Sequence, residues 1–209
     1  MHLNILTKKQ QELLPFFSGF KKNFYLVGGT AIALYIGHRR SIDFDLFSFE
    51  KLNKSIIKRK VSELQLQKHI IFEDFDQIHF FINEIKTTFF NFPYNIVHDY
   101  ILSNIISMPS LLTLAAMKAF ALGRRAKWKD YVDLFFIIDK YHSIKEITTE
   151  ANHIFKDMFS EKLFCEQLAF HDDIDYSEPV EYIQSFKTDD QTIKNFLIDK
   201  SVEYLKLNV

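Results

Sequence analysis

The order of apolar and polar positions divides the chain into a β-rich first half and a helical second half. Residues 24–27, Phe-Tyr-Leu-Val, form a short β-prone run; Gly28-Gly29 follows, then an apolar stretch at 30–36 that stops at Gly37. This pattern predicts a buried strand, a tight turn and a short helix. At 42–46 the alternation is strict: Ile42, Phe44 and Leu46 share one strand face, Asp43 and Asp45 the other. Leu52, Ile56, Val61 and Leu64 have the spacing of an amphipathic helix within 51–67. Runs at 69–75, 77–83 and 85–92 predict an antiparallel meander ended by Pro93. Upstream, Thr7 is a candidate N-cap for a helix over 8–14.

Beyond Pro109 the pattern turns helical. Helices are expected at 110–122 (with Ser110 as cap), beginning at 130 with the run 130–138, and at 144–159, 161–170 and 190–207. Lys118 is the one charge on the apolar 110–122 segment, so its ammonium must snorkel outward or meet an anion. Arg125, seven residues on, falls on the same helical face. The acidic stretch at 171–176 and Pro179 read as a solvated linker. The predicted fold class is α+β, with a sheet core at 1–108 and a helical lobe at 109–209.

Composition narrows the function classes. At 209 residues, 47% hydrophobic and 25% charged, the chain is globular, and 23 phenylalanines supply core volume. The net charge of −1 gives no global basic field, so any contact with nucleotide or nucleic acid must come from local clusters such as 124–129. The single cysteine, Cys165, excludes an internal disulfide, and no long apolar stretch predicts export or a membrane span; a cytoplasmic location is expected.

The candidate chemistry lies in residues 24–48. A glycine turn at a helix N-terminus presents backbone N–H groups and a positive dipole end to an anion. Asp43 and Asp45, two residues apart on a strand, project in parallel with Cα atoms roughly 6.5–7 Å apart. That spacing suits divalent cations held between the protein and a triphosphate. His38-Arg39-Arg40 adds local positive charge.

These residues, Gly28-Gly29-Thr30-Ala31 and then Gly37-His38-Arg39-Arg40-Ser41-Ile42-Asp43-Phe44-Asp45-Leu46-Phe47, resemble the signature of the AbiEii/AbiGii toxin family. Its members are nucleotidyltransferases of the polymerase-β superfamily, found in abortive-infection and toxin–antitoxin systems. Lys118, Arg124-Arg125 and Lys129-Asp130-x-x-Asp133-Leu134 resemble the family's later motifs. The resemblance implies a nucleotidyltransferase-type mixed sheet and transfer of a nucleoside monophosphate from an NTP with release of pyrophosphate. It implies Mg²⁺ or Mn²⁺ on Asp43 and Asp45, and NTP contacts from Gly28, Gly29, Thr30, Arg39, Arg40, Ser41, Arg125 and Lys129. Lys118 would contact phosphates, and Asp130 would be a catalytic or site-organising carboxylate. The expected cleft lies between Gly28-Gly29, Asp43 and Asp45 on the sheet and Lys118, Arg125 and Asp130 on the helices. Asp133 is expected to stabilise a helix dipole from its first turn.

In the superfamily a third metal carboxylate sits on the strand after the D-x-D strand. Thr88 occupies that position here, leaving two protein carboxylates for metal. The implied acceptor is an RNA 3′ end such as that of tRNA, with a cognate antitoxin as partner. A small-molecule acceptor, or a non-catalytic nucleotide- or partner-binding module, stays open.

Overall fold

The computed structural model describes residues 1–122 and 124–208 and divides into two units, residues 1–35 with 41–110 and residues 36–40 with 111–209. The first is built on a seven-stranded mixed sheet: β1 (Tyr25–Val27), β2 (Phe44–Ser48), β3 (Lys68–Asp74), β4 (Gln77–Ile82), β5 (Ile85–Asn91), β6 (Tyr100–Leu102) and β7 (Ile106–Met108). The strand order is β3-β4-β5-β2-β1-β7-β6; β2 with β5 and β1 with β7 are parallel, the other neighbours antiparallel.

One sheet face carries the core. Phe44 and Leu46 of β2, Ile78, Phe80 and Ile82 of β4 and Phe89 of β5 are buried there. The Phe17 ring meets Phe44 at 4.8 Å, and Phe20 and Phe24 meet Phe89 at 4.9 and 5.3 Å. The chain ahead of β1 includes α1 (Lys8–Leu13), which Thr7 and Gln10 close at its N-terminus with a reciprocal capping box. After β1 comes α2 (Gly28–Ile36); α3 (Lys54–Ser62), capped by Asn53, contributes Ile57 and Val61 to the buried set.

Two hairpins turn through pairs of non-glycine residues with positive φ, Asn83-Glu84 between β4 and β5 and Ser103-Asn104 between β6 and β7. Positive φ at both central residues is what the two-residue β4–β5 turn requires to match strand twist; the β6–β7 loop has three residues, and Ile105 N–H closes on the Leu102 carbonyl at 2.8 Å. The β6–β7 hairpin lay beyond the predicted meander. Ile42 also departs from expectation: β2 begins at Phe44, and Ile42 is 56% exposed rather than on the buried face.

The second unit holds α4 (Leu111–Leu122), α5 (Trp128–Lys140), α6 (Ile144–Phe155), α7 (Glu161–Ala169) and α8 (Asp190–Asn208). The helix expected to continue to 159 ends at Phe155, where Lys156 takes φ 49° and a short 3₁₀ turn follows. Residues 36–40 pack with these helices: Arg40 N–H donates to the Glu181 carbonyl at 2.8 Å and Ile183 N–H to the His38 carbonyl at 2.9 Å. No helix among the described residues is long and apolar enough to cross a membrane.

Candidate active site

In the sheet unit, β1 runs straight into α2, and its last residue, Val27, pairs with Asp45 on β2. Gly28 makes the transition at φ 73°, a conformation that costs an L-residue about 1–2 kcal/mol. A Cβ there would also overlap Asp45 Oδ2, so the missing side chain is the space the carboxylate occupies. Asp45 thereby rests against the first residue of α2, at the positive end of the helix. Gly29 follows, half-buried.

Thr30 is 2% exposed, and its hydroxyl binds both the Asp43 carbonyl and, at 2.9 Å, Ser41 Oγ. A hydroxyl has one proton, so Thr30 donates to the carbonyl and accepts from Ser41. The Ser41 carbonyl in turn accepts from Gln10 Nε2 at 2.8 Å. The bend that delivers Asp43 to the head of β2 is therefore tied to α2 and to α1. Gln10, buried in α1, was read in the sequence only as part of a helix start. Its amide's reach to Ser41, 31 residues away, leaves no local signal.

The helical unit contains a second cluster. Asp133 is fully buried and accepts four donors: His38 Nε2 and Arg39 Nε, each at 2.7 Å on Oδ1, and Arg39 Nη2 at 2.8 Å and Lys118 Nζ at 3.0 Å on Oδ2. Lys118 Nζ also reaches Asp130 Oδ1 at 2.6 Å, while Arg125 Nε binds Asp130 Oδ2 at 3.1 Å. Burial opposes the charge on Asp133, but Arg39, Lys118 and His38 outweigh it and hold the carboxyl well below the usual range. Burial likewise works against the Lys118 ammonium; Asp130 and Asp133 overcome it, and the net direction is upward. For His38 burial wins and pushes the imidazole down, so the neutral ring donates Nε2–H to Asp133. Its Nδ1 has no hydrogen-bond partner among the described residues.

The sequence expectations divide accordingly. Lys118, Arg125 and Asp130 come together, although α4 ends at Leu122 and Arg125 reaches Asp130 from the connection rather than from a shared helix face. Asp133 is not a first-turn dipole residue but the centre of a buried ion cluster. Arg39 is 2% exposed and spends its guanidinium on Asp133. Arg40 pairs with Glu181 at 2.8 Å, and Lys129 with Glu178 at 3.2 Å. Glu178, which also binds Lys127, is held at about 2, chiefly by the Lys127 hydrogen bond. The acidic segment read as a solvated linker instead lies along the unit's own basic stretch, with Asp175 N–H donating to the Ala126 carbonyl at 2.7 Å and Trp128 N–H to the Asp175 carbonyl at 3.1 Å.

Residues 16–105 match the family model described as "Nucleotidyl transferase AbiEii toxin, Type IV TA system". An uncharacterized protein of Aquifex aeolicus (strain VF5) is 32% identical over 142 residues, covering 65% of this chain and 68% of that protein. The chain belongs to the AbiEii nucleotidyltransferase toxin family. The AbiEii match spans the glycine turn, both aspartates and Thr88, and ends before Lys118.

Solved structures share the fold. MenT4, a nucleotidyltransferase toxin from Mycobacterium tuberculosis H37Rv, superposes with a TM-score of 0.64 at 12% identity, covering 96% of this chain and 83% of that one. The crystal structure of a "putative nucleotidyltransferase" from Helicobacter pylori gives 0.55 at 12% identity, with 96% and 97% covered.

AbiEii chemistry implies a divalent cation, and the residues fit one. Asp43 and Asp45 supply hard oxygen donors, and the cradle at Gly28 leaves the Asp45 carboxylate room that any side chain would fill. No three His, Cys, Asp or Glu side chains converge as a ligand set among the described residues. Two carboxylates suit Mg²⁺, which takes its remaining ligands from water and substrate phosphates.

Proposed function

We propose that this chain transfers a nucleoside monophosphate from an NTP to the 3′ end of an RNA, as the toxin of a toxin–antitoxin pair whose antitoxin is its partner. The observation that carries the reading is the Gly28–Asp45 apposition: a glycine turn at a helix N-terminus packed against the second carboxylate of a D-x-D strand. The AbiEii membership and the nucleotidyltransferase fold support it.

In this reading Asp43 and Asp45 hold Mg²⁺ or Mn²⁺, which would neutralise phosphate charge and orient the substrate. Gly28 and Gly29 give backbone access to phosphates. Thr30 and Ser41 act one step back, fixing Asp43 through its carbonyl. In the helical unit, Lys118, Asp130 and the half-exposed Arg125 form a charge cluster that this reading assigns to substrate phosphates, with Lys129 and Arg40 as further cations. Arg39 positions through Asp133.

The test is incubation with each α-labelled NTP, Mg²⁺ or Mn²⁺, and total cellular RNA. Labelled RNA is expected, lost in Asp43→Ala and in Asp130→Ala. Label that survives Asp130→Ala removes Asp130 from the reaction. Metal-dependent NTP binding without any transfer would favour a binding module instead, the alternative that Thr88 beside Asp45 supports.

A further inference from the structure

The strand registers set one row of side chains across the sheet. Asp45 on β2 pairs with Thr88 on β5, and Thr88 pairs with His79 on β4. Cross-strand partners project on the same face. His79 thus shares the face of Asp45, two strand spacings or about 10 Å away at Cα, with short Thr88 between them. The ring is half-buried and is backed on the β3 side by Phe72, with centroids 5.2 Å apart.

Gln77 fixes which nitrogen carries the proton. His79 Nε2 lies 2.8 Å from Gln77 Oε1, an acceptor only, so Nε2 donates and the lone pair sits on Nδ1. Lys86 on β5 and Asp45 on β2 act on the ring, and on the β3 side Asp74, paired with Gln77, and His69, paired with Phe81, share its face. Burial, aided by Lys86, lowers the imidazole's pKa against the opposing pull of Asp45, favouring the neutral form at neutral pH.

We infer that His79 is the general base for nucleotidyl transfer, filling the role left by the absence of a carboxylate at Thr88. The inference rests on the nucleotidyltransferase reading above. Nδ1 takes the proton of the acceptor hydroxyl, whose oxygen bonds to the α-phosphorus. The bond from that phosphorus to the bridging oxygen breaks, and pyrophosphate leaves with the electron pair. The imidazolium then returns its proton to water.

The test compares the parent with His79→Gln and His79→Ala in the labelled-NTP assay, with Mn²⁺–NTP affinity measured separately by titration. Affinity should stay within about twofold while kcat falls about 10²–10⁴-fold, the usual range for a general base. The parent's kcat should decline on acidification below the ordinary histidine value of 6.5, and that limb should vanish in both variants. Added imidazole should restore part of the rate of His79→Ala. His79→Gln carries the test if the alanine variant does not fold. Parent activity with kcat retained in His79→Gln overturns the assignment alone. So does a fall in kcat with the acid limb intact and no imidazole rescue, which marks a packing role. A parent that transfers nothing to any acceptor overturns the nucleotidyltransferase reading and the base with it.

Discussion

Asp133 shows how far a residue's role can differ from its local pattern. In sequence it is an acid three residues after another near a helix start, where the dipole is worth at most about 1 kcal/mol. In the fold its four donors come from three residues, two of them more than 90 positions away. Removing one partner of a buried ion pair strands the others, typically at a cost of about 3–5 kcal/mol. Asp133→Ala should therefore lower the unfolding free energy by that amount in a urea titration, since Arg39 and Lys118 would stay buried without it. Asp130→Ala should cost less, because Asp133 still holds Lys118 and Arg125 is half-exposed. Equal losses in the two variants would contradict Asp133 as the centre of the cluster. Lys118 itself was legible: a lone ammonium on an apolar helix needed an anion, and it has two.

At the scale of elements, the strand–turn–helix–strand unit was the most legible part, because apolar runs and glycines mark it locally. The tie that aims Asp43, from Gln10 through Ser41 and from Thr30, joins residues no periodicity connects. The β6–β7 hairpin was illegible for another reason: three-residue strands are too short to display a period, and Ser103-Asn104 lacks the glycine that signals such a turn. Gly28→Ala tests the unit directly. The variant must displace the Asp45 carboxylate and accept an unfavourable φ, so Mn²⁺–NTP affinity should drop at least tenfold and stability by about 1–2 kcal/mol. Unchanged affinity would show that the apposition does not shape the metal site.

For the whole molecule, three histidines contribute to the acid response, one buried and two half-buried. Burial lowers the pKa of His38, His79 and His171. The unfolded chain therefore takes up protons near the ordinary value of 6.5 that the folded chain still refuses. Their stabilising contribution is complete above that pH and is lost as pH falls through it. Unfolding free energy should decline from pH 7 to pH 5, with a shallower slope in His38→Gln; equal slopes would exclude His38 from the effect. Below about pH 4 the depressed carboxyl of Asp133 adds a further loss.

Residues 36–40 have a consequence for how the protein is made. They belong with helices whose first residue is Leu111, so the helical unit is assembled from two separate stretches of chain. During synthesis His38 and Arg39 leave the ribosome 94 or more residues before Asp133, and their partners at 181–183 emerge later still. Arg39 must remain hydrated until the helices arrive, and the buried cluster can close only late in translation. A cut at residue 110 would separate Arg39 from its carboxylate. Neither fragment of such a cut would retain the complete ion cluster, and complementation between the two would have to rebuild it.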